Sequence, residues 1–154
     1  MSHLTDVRLT VRSLDDLERG GAVLGFDLIR DKREHAWYGM MVGDSAEGRQ
    51  VAAERGIENL GKCDHVLRPK NWRQGDYEIG VVANGDGTFN LLYDSWGPGQ
   101  KITQLAGPNL ARLRQEYAVA VTESRHASTL ARDGFSLERE DLANGRVRLR
   151  MRRR

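Results

Sequence analysis

Hydrophobic and polar positions change their period several times along this chain, and each change marks an element. Leu4, Val7, Leu9 and Val11 recur against polar neighbours nearly in alternation, which predicts a strand over 4–11. Ser13 then stands where a helix N-cap belongs, with Asp15 and Asp16 in the first turn where the helix dipole favours negative charge. Leu14, Leu17, Gly21 and Leu24 follow at helical spacing, and Gly25 is the expected terminator. Phe26, Leu28 and Arg30 open a second strand. The first 31 residues therefore read β-α-β.

The middle is less patterned. Trp37, Tyr38, Met40, Met41 and Val42 suggest a strand over 35–42, and residues 50–55 suit a short helix between Gly43, Gly48, Gly56 and Gly61. From Cys63 the signals sharpen. Residues 63–68 predict a short strand closed by Pro69, and residues 77–83 predict another. Asn84-Gly85-Asp86-Gly87 is a turn signal, so residues 89–93 return as a hairpin partner before a loop over 94–99. Leu110, Leu113, Tyr117 and Val121, extended by Ser124 and Ala127, form one stripe of a long helix over 109–132, with residues 102–106 as an earlier turn that Pro108 kinks. Gly134 suits the position just past that helix. Residues 135–139 and 146–151 then predict a terminal hairpin around Asn144-Gly145.

The order is β-α-β, an uncertain middle, β-β-β, a long helix and β-β. Antiparallel hairpins plus two main helices predict an α+β domain covering residues 1–154, with one mostly antiparallel sheet and both helices on one face. No tandem repeat, low-complexity tract or interdomain linker interrupts it.

Composition narrows the class. At 154 residues, with 39% apolar and 30% charged residues, the chain suits one globular domain that buries roughly 70% of its unfolded surface. No run approaches the ~20 apolar residues of a membrane helix, and the opening residues lack the basic segment and apolar run of a secretion signal. Cys63 is the single cysteine, which excludes an internal disulfide and points to a reducing compartment, read here as cytoplasmic.

Charge changes the picture more. Residues 1–145 hold all 22 acids and 18 of the 24 lysines and arginines, a net charge of −4, whereas the last nine residues carry +6. Within that tail Val147, Leu149 and Met151 alternate with Arg146, Arg148, Arg150 and Arg152. A strand there puts one apolar row into a core and one cationic row in solvent. The arginines suit three roles: tracking phosphates, gripping carboxylates of a partner, or protecting an edge strand from pairing with other chains.

Other constellations are weaker. Cys63-x-His65, if placed on a strand, puts a thiol and an imidazole on one face, as a zinc site or a thiol–imidazole pair needs. The remaining ligand candidates, His3, His35 and His126, have no diagnostic spacing, and neither an orienting group nor an oxyanion site is identifiable. A small buried cysteine beside a hydrogen-bonded histidine is the simpler reading. Gly85-x-Gly87 lacks the strand-to-helix setting of a phosphate loop. Asp76, Glu78 and Asp94 read as solvated edge charges. Trp72, between Lys70 and Arg73, reads as an exposed loop contact of the kind that stacks bases or anchors protein interfaces, whereas Trp96 reads as core or rim.

Several short motifs carry a likeness, in order, over most of the chain. They are Met1-Ser2-His3-Leu4-Thr5, Leu24-Gly25-Phe26, Cys63-Asp64-His65-Val66, Tyr77-Glu78-Ile79-Gly80-Val81 and Leu92-Tyr93-Asp94-Ser95-Trp96-Gly97, followed by the Tyr117 helix and the closing basic strand. Together they resemble the hypothetical chloroplast reading frame 35 family (domain of unknown function 1257), in its bacterial and phage branch. The resemblance implies no established reaction. Some such proteins lie near genes for AAA+ ATPases or small ferredoxin-like proteins, so it implies an accessory role beside an ATPase.

The sequence thus predicts a non-catalytic adaptor without cofactor or catalytic residues, binding a protein through Arg146, Arg148, Arg150 and Arg152 and through Trp72 and Arg73. The implied partner class is an AAA+ ATPase. A small nucleic-acid-binding protein using the same arginine-rich strand is the alternative, and a metal or thiol site at Cys63 and His65 is the third reading. Oligomeric state is open.

Overall fold

A computed structural model describes residues 4–39 and 46–154. The Met1-Ser2-His3 motif, and with it His3, and the 40–42 end of the expected central strand lie outside the described residues. The elements are Leu4–Val11 (β1), Leu14–Val23 (α1), Phe26–Arg30 (β2), Ala46–Arg55 (α2), His65–Pro69 (β3), Ile79–Ala83 (β4), Phe89–Asp94 (β5), Gln100–Ala106 (α3), Ala111–Arg132 (α4), Phe135–Asp141 (β6) and Val147–Arg153 (β7). The class is α+β, and every named strand pair is antiparallel.

Local chemistry sets the boundaries. The Ser13 hydroxyl accepts the Asp16 N–H at 3.2 Å and starts α1, and Gly25, at φ +90°, turns the chain out of it. The main sheet has the strand order β1-β5-β4-β3-β2. Because β1 and β2 lie at opposite edges, α1 must cross the whole sheet between them. It packs there against α4, and Gly20 allows the approach: a Cβ at this position would stand 2.9 Å from the Glu116 carbonyl carbon and the Tyr117 nitrogen.

Strand periodicity divides the interior into two layers. Leu67, Ile79, Val81, Leu91 and Tyr93 face α1, α3 and α4, where they meet Leu17, Ile102, Leu113 and Tyr117. Leu92 faces the other way and packs with Val51 of α2 and with Leu60, Trp37 and Val82. The two main helices lie on one face, as the pattern predicts, and α2 covers the opposite one.

The structure departs from the sequence reading in four places. Residues 35–39 do not form a strand. They run as irregular chain over the second face, held by His35 N–H to Gly61 O (3.0 Å) and by Glu78 N–H to Ala36 O (2.8 Å), so Trp37 covers the sheet instead of extending it. The short helix begins at Ala46, ahead of the predicted start. Residues 102–106 belong to a true helix, α3, separated from α4 by Gly107 at φ +80° and by Asn109 and Leu110, both left-handed.

The fourth correction matters most. The expected single sheet is a five-stranded sheet plus a separate two-stranded one, β6-β7. At 22 residues α4 is about 33 Å long, whereas the strands reach at most about 27 Å. Its final turns therefore run past the sheet, and residues 124–129 are exposed. The hairpin folds back along α4, where the Gln115 amide donates to Gly145 O at 3.0 Å.

Candidate functional site

The arginine-rich strand exists, as β7, but the row it presents is not bare. The turn closes with Gly145 N–H to Leu142 O (3.0 Å) and Leu142 N–H to Arg146 O (2.8 Å), and Gly145 has φ +77°. This three-residue loop sets Glu140 opposite Arg148 and Glu138 opposite Arg150. Arg148 and Arg150 both reach Glu140, at 3.4 and 3.2 Å, and Arg152 reaches Glu138 at 2.7 Å. One face of the hairpin is thus a lattice of three guanidiniums and two carboxylates, each about half exposed. Such exposed pairs contribute roughly 0–1 kcal/mol each, so a competing carboxylate displaces them at small cost. Arg146, Arg153 and Arg154 make no side-chain ion pair among the described residues.

The opposite face carries Phe135, Leu137 and Arg139 on β6 and Val147, Leu149 and Met151 on β7. It is fixed to α4 by a two-pronged contact. Arg139 Nη1 and Nη2 donate to the two oxygens of Glu116 at 2.7 and 2.8 Å, and Arg139 also holds Asp141 at 2.7 Å. Glu116, with the help of Asp141, raises the Arg139 pKa above its ordinary value, and Arg139 in turn lowers that of Asp141. Val147 and Leu149 are only half-buried, and Met151 is 67% exposed. The apolar row predicted to enter a core instead stays largely at the surface.

Trp72 and Arg73 sit elsewhere, on the connection between β3 and β4. Trp72 is half-buried. The Arg68 guanidinium lies 4.4 Å from its ring centroid, and its indole N–H donates to Asp76 O at 3.0 Å. The Asp76 carboxylate, held below its ordinary pKa by Lys101 at 2.6 Å, accepts the Arg73 N–H. Arg73 itself is exposed. These two residues share no element with the hairpin arginines, so the six predicted contact residues form two separate surfaces. Trp96 is half-buried against the edge of Tyr38, with ring centroids 6.0 Å apart.

Cys63 and His65 do not converge. The strand starts only at His65, and the chain bends at Asp64, so the same-face geometry expected of positions two apart does not arise. His65 Nδ1 accepts the Asp31 N–H at 3.0 Å, and its ring meets Phe89 edge-on. Cys63 is buried, donates to Lys32 O at 3.2 Å and, chiefly through burial, has its thiol pKa pushed up to about 12. The imidazole nearer to Cys63 is that of His35: a Cβ on Gly80 would meet both, 2.8 Å from the His35 ring and 3.3 Å from Cys63 Cβ. His35 lies between Leu60 O (3.0 Å) and Glu78 O (3.3 Å), and burial lowers its pKa.

Two of the acids read as solvated are fully buried, Glu78 and Asp94. The Glu78 carboxylate receives Lys32 (2.7 Å), Arg68 (2.6 Å) and the Ala36 N–H (2.8 Å). Burial alone would raise its pKa, but these three donors outweigh it and hold the pKa below the ordinary value. Asp94 accepts the Trp96 N–H at 3.0 Å. Periodicity could not reveal the burial of Glu78, because its partners Lys32 and Ala36 come from a distant segment. Among the described residues, no group of three or more His, Cys, Asp or Glu side chains is arranged to hold a metal ion.

A cleft of about 420 Å³ is lined by Glu54, Arg55, Asn59, Lys62, Cys63 and Asp64. Its cysteine is protonated at neutral pH, and its Asp64 is bound to Arg33 and to the Ala83 N–H. A second, of about 450 Å³, has a mainly neutral lining that includes Tyr93, Thr103, Gln104 and Asn109. Neither combines a nucleophile, a base and an oxyanion site. No described helix is long and apolar enough to cross a membrane.

No family model matches the chain, and neither a curated protein nor a solved structure matches it. The family resemblance therefore rests on its short motifs.

The hairpin lattice depends on residues that sequence reasoning passed over: Glu138 and Glu140, and the anchor formed by Glu116 and Arg139. The sequence signal for the first pair pointed the other way, because Asn-Gly favours a two-residue turn. An Asn-Gly turn of three residues instead of two shifts the register by one and brings the acids opposite the arginines.

Proposed function

We propose that this protein is a non-catalytic adaptor that docks a protein partner on its C-terminal hairpin. The observation that carries this reading is the hairpin itself: a two-stranded sheet outside the main one, with a cationic lattice on one face and an exposed Met151 on the other. Interfaces favour such a combination of arginine and large flexible apolar side chains. The AAA+ ATPase class implied by the family resemblance is the first partner to test. Trp72 and Arg73, on their separate loop, form a second contact in this proposal.

The nucleic-acid alternative draws on the six terminal arginines. Against it stand Glu138 and Glu140 within the arginine row and the net −4 of the remaining chain. Capture of native partners by the wild-type protein and by an Arg148→Glu, Arg150→Glu, Arg152→Glu variant tests the preferred reading. Loss of the captured partner in the variant supports it, and full retention overturns it. Gel-shift titration over a salt series tests the alternative, which requires binding that weakens steeply as salt rises.

A further inference from the structure

We propose that the outer edge of β7 accepts an extended acidic segment of a partner protein as a third strand. This rests on the protein-binding reading above and specifies its chemistry. The hydrogen bonds Leu142 N–H to Arg146 O and Arg154 N–H to Gly134 O, both 2.8 Å, fix the phase of the hairpin ladder. Bonded pairs alternate in an antiparallel ribbon, so they fall at 140/148, 138/150 and 136/152. The N–H and C=O groups of Val147, Leu149, Met151 and Arg153 consequently point outward. Among the described residues no strand pairs with that side of β7, and none of these eight groups bonds elsewhere.

A seven-residue edge with unpaired main-chain groups is a template for another strand. Its side chains select which one. An incoming segment with acids beside Arg148, Arg150 and Arg152, and apolar residues beside Val147, Leu149 and Met151, satisfies both faces at once. The inner edge of β7 already holds a strand of this kind, since β6 sets Glu138 and Glu140 among the arginines and Leu137 opposite Met151. A two-fold dimer of this chain fits less well. Pairing β7 with β7 aligns arginine rows, and pairing β6 with β6 aligns glutamates. A nucleic acid offers no peptide groups to complete the ladder.

The test uses a labelled nine-residue peptide of alternating glutamate and valine, followed by fluorescence anisotropy with the full chain. The peptide is expected to bind, to protect the Val147, Leu149 and Met151 amides from hydrogen exchange, and to lose affinity to an Arg148→Gln, Arg150→Gln, Arg152→Gln variant. The same peptide N-methylated at alternate residues keeps every charge but cannot complete the ladder, and is expected to bind at least about tenfold more weakly. Absence of peptide binding, equal affinity of the two peptides, or tighter binding of a single-stranded oligothymidylate of equal charge overturns strand addition. Native partner capture that depends on the arginines, without peptide binding, removes strand addition and leaves the adaptor reading. Capture that is indifferent to them removes the adaptor reading.

Discussion

Arg139 grips Glu116 with both ends of its guanidinium, at 2.7 and 2.8 Å, and this fork, with the Gln115 amide on Gly145 O, ties the hairpin to α4. Glu116 lies on the buried side of α4, its side chain only 6% exposed, so Arg139 offsets the cost of burying its carboxylate. Replacing Arg139 with alanine leaves a carboxylate almost out of water without compensation, at a cost of about 3 kcal/mol. Chemical denaturation of Arg139→Ala should show that loss. Hydrogen exchange should show faster opening of β6 and β7 than of the main sheet, because the hairpin has little apolar packing to replace the fork. Uniform loosening of the whole chain would contradict this role.

Gly20 sets the distance between α1 and α4. In a helix interior, alanine is intrinsically better than glycine by about 1 kcal/mol, so propensity alone predicts that Gly20→Ala stabilises. The backbone of α4 decides otherwise. The new methyl would sit 2.9 Å from Glu116 C and Tyr117 N, atoms that cannot swing aside as a side-chain end does. We expect a net destabilisation of about 1–3 kcal/mol, read from the denaturation midpoint. Gly21→Ala is the control: its methyl would meet a Leu67 methyl at 3.2 Å, which can shift, and the loss should be smaller.

Stability should fall in two stages as pH drops, because two buried groups have lowered pKa values on the same sheet face. His35 titrates below its ordinary 6.5 through burial, despite carbonyls near both ring nitrogens and the charge of Glu78. The unfolded chain therefore takes up a proton first, and stability declines as pH passes below 6.5 toward the folded pKa. Glu78 behaves alike from 4.5 downward, since Lys32, Arg68 and the Ala36 N–H favour its ionised form over the folded protein's burial penalty. Its contribution is complete above 4.5 and is lost as pH falls through the folded value. Denaturation midpoints across pH 3–8 should show the upper stage flattened in His35→Gln and the lower stage flattened in Glu78→Gln. A single unchanged slope in both variants would rule out these assignments.

Features governed by neighbours in sequence were legible. The Ser13 cap, the Gly25 and Gly134 stops, the turn at Gly85 and Gly87, and the stripe of Leu113 and Tyr117 all express backbone sterics or helical period. Features governed by distant partners were not. Trp37 and Tyr38 carry strand-like composition, yet Trp37 serves to cover a sheet face, and only the positions of Leu60 and Leu92 decide that. Glu78 is an unremarkable acid until Lys32 and Arg68, 46 and 10 residues away, close on it. For the hairpin, the alternation in β7 was readable but its register was not. That one-residue difference separates a bare arginine row from one interleaved with Glu138 and Glu140.

Cys63 offers the last test, because its surroundings make it inert. Burial and a hydrogen bond to Lys32 O keep it a thiol, and its pKa, pushed from 9.0 to about 12, leaves roughly a thousandfold less thiolate at neutral pH than an ordinary cysteine. Iodoacetamide at pH 7.5 should therefore label the folded protein orders of magnitude more slowly than the chain in denaturant. Cys63→Ser should change stability more than surface chemistry, since a hydroxyl in this site keeps the bond to Lys32 O but loses the sulfur's fit beside His35 and Gly80. Rapid labelling of the native protein would mean that the thiol is activated. In that case the cleft containing Glu54, Lys62 and Asp64 would have to be reconsidered as a reactive site.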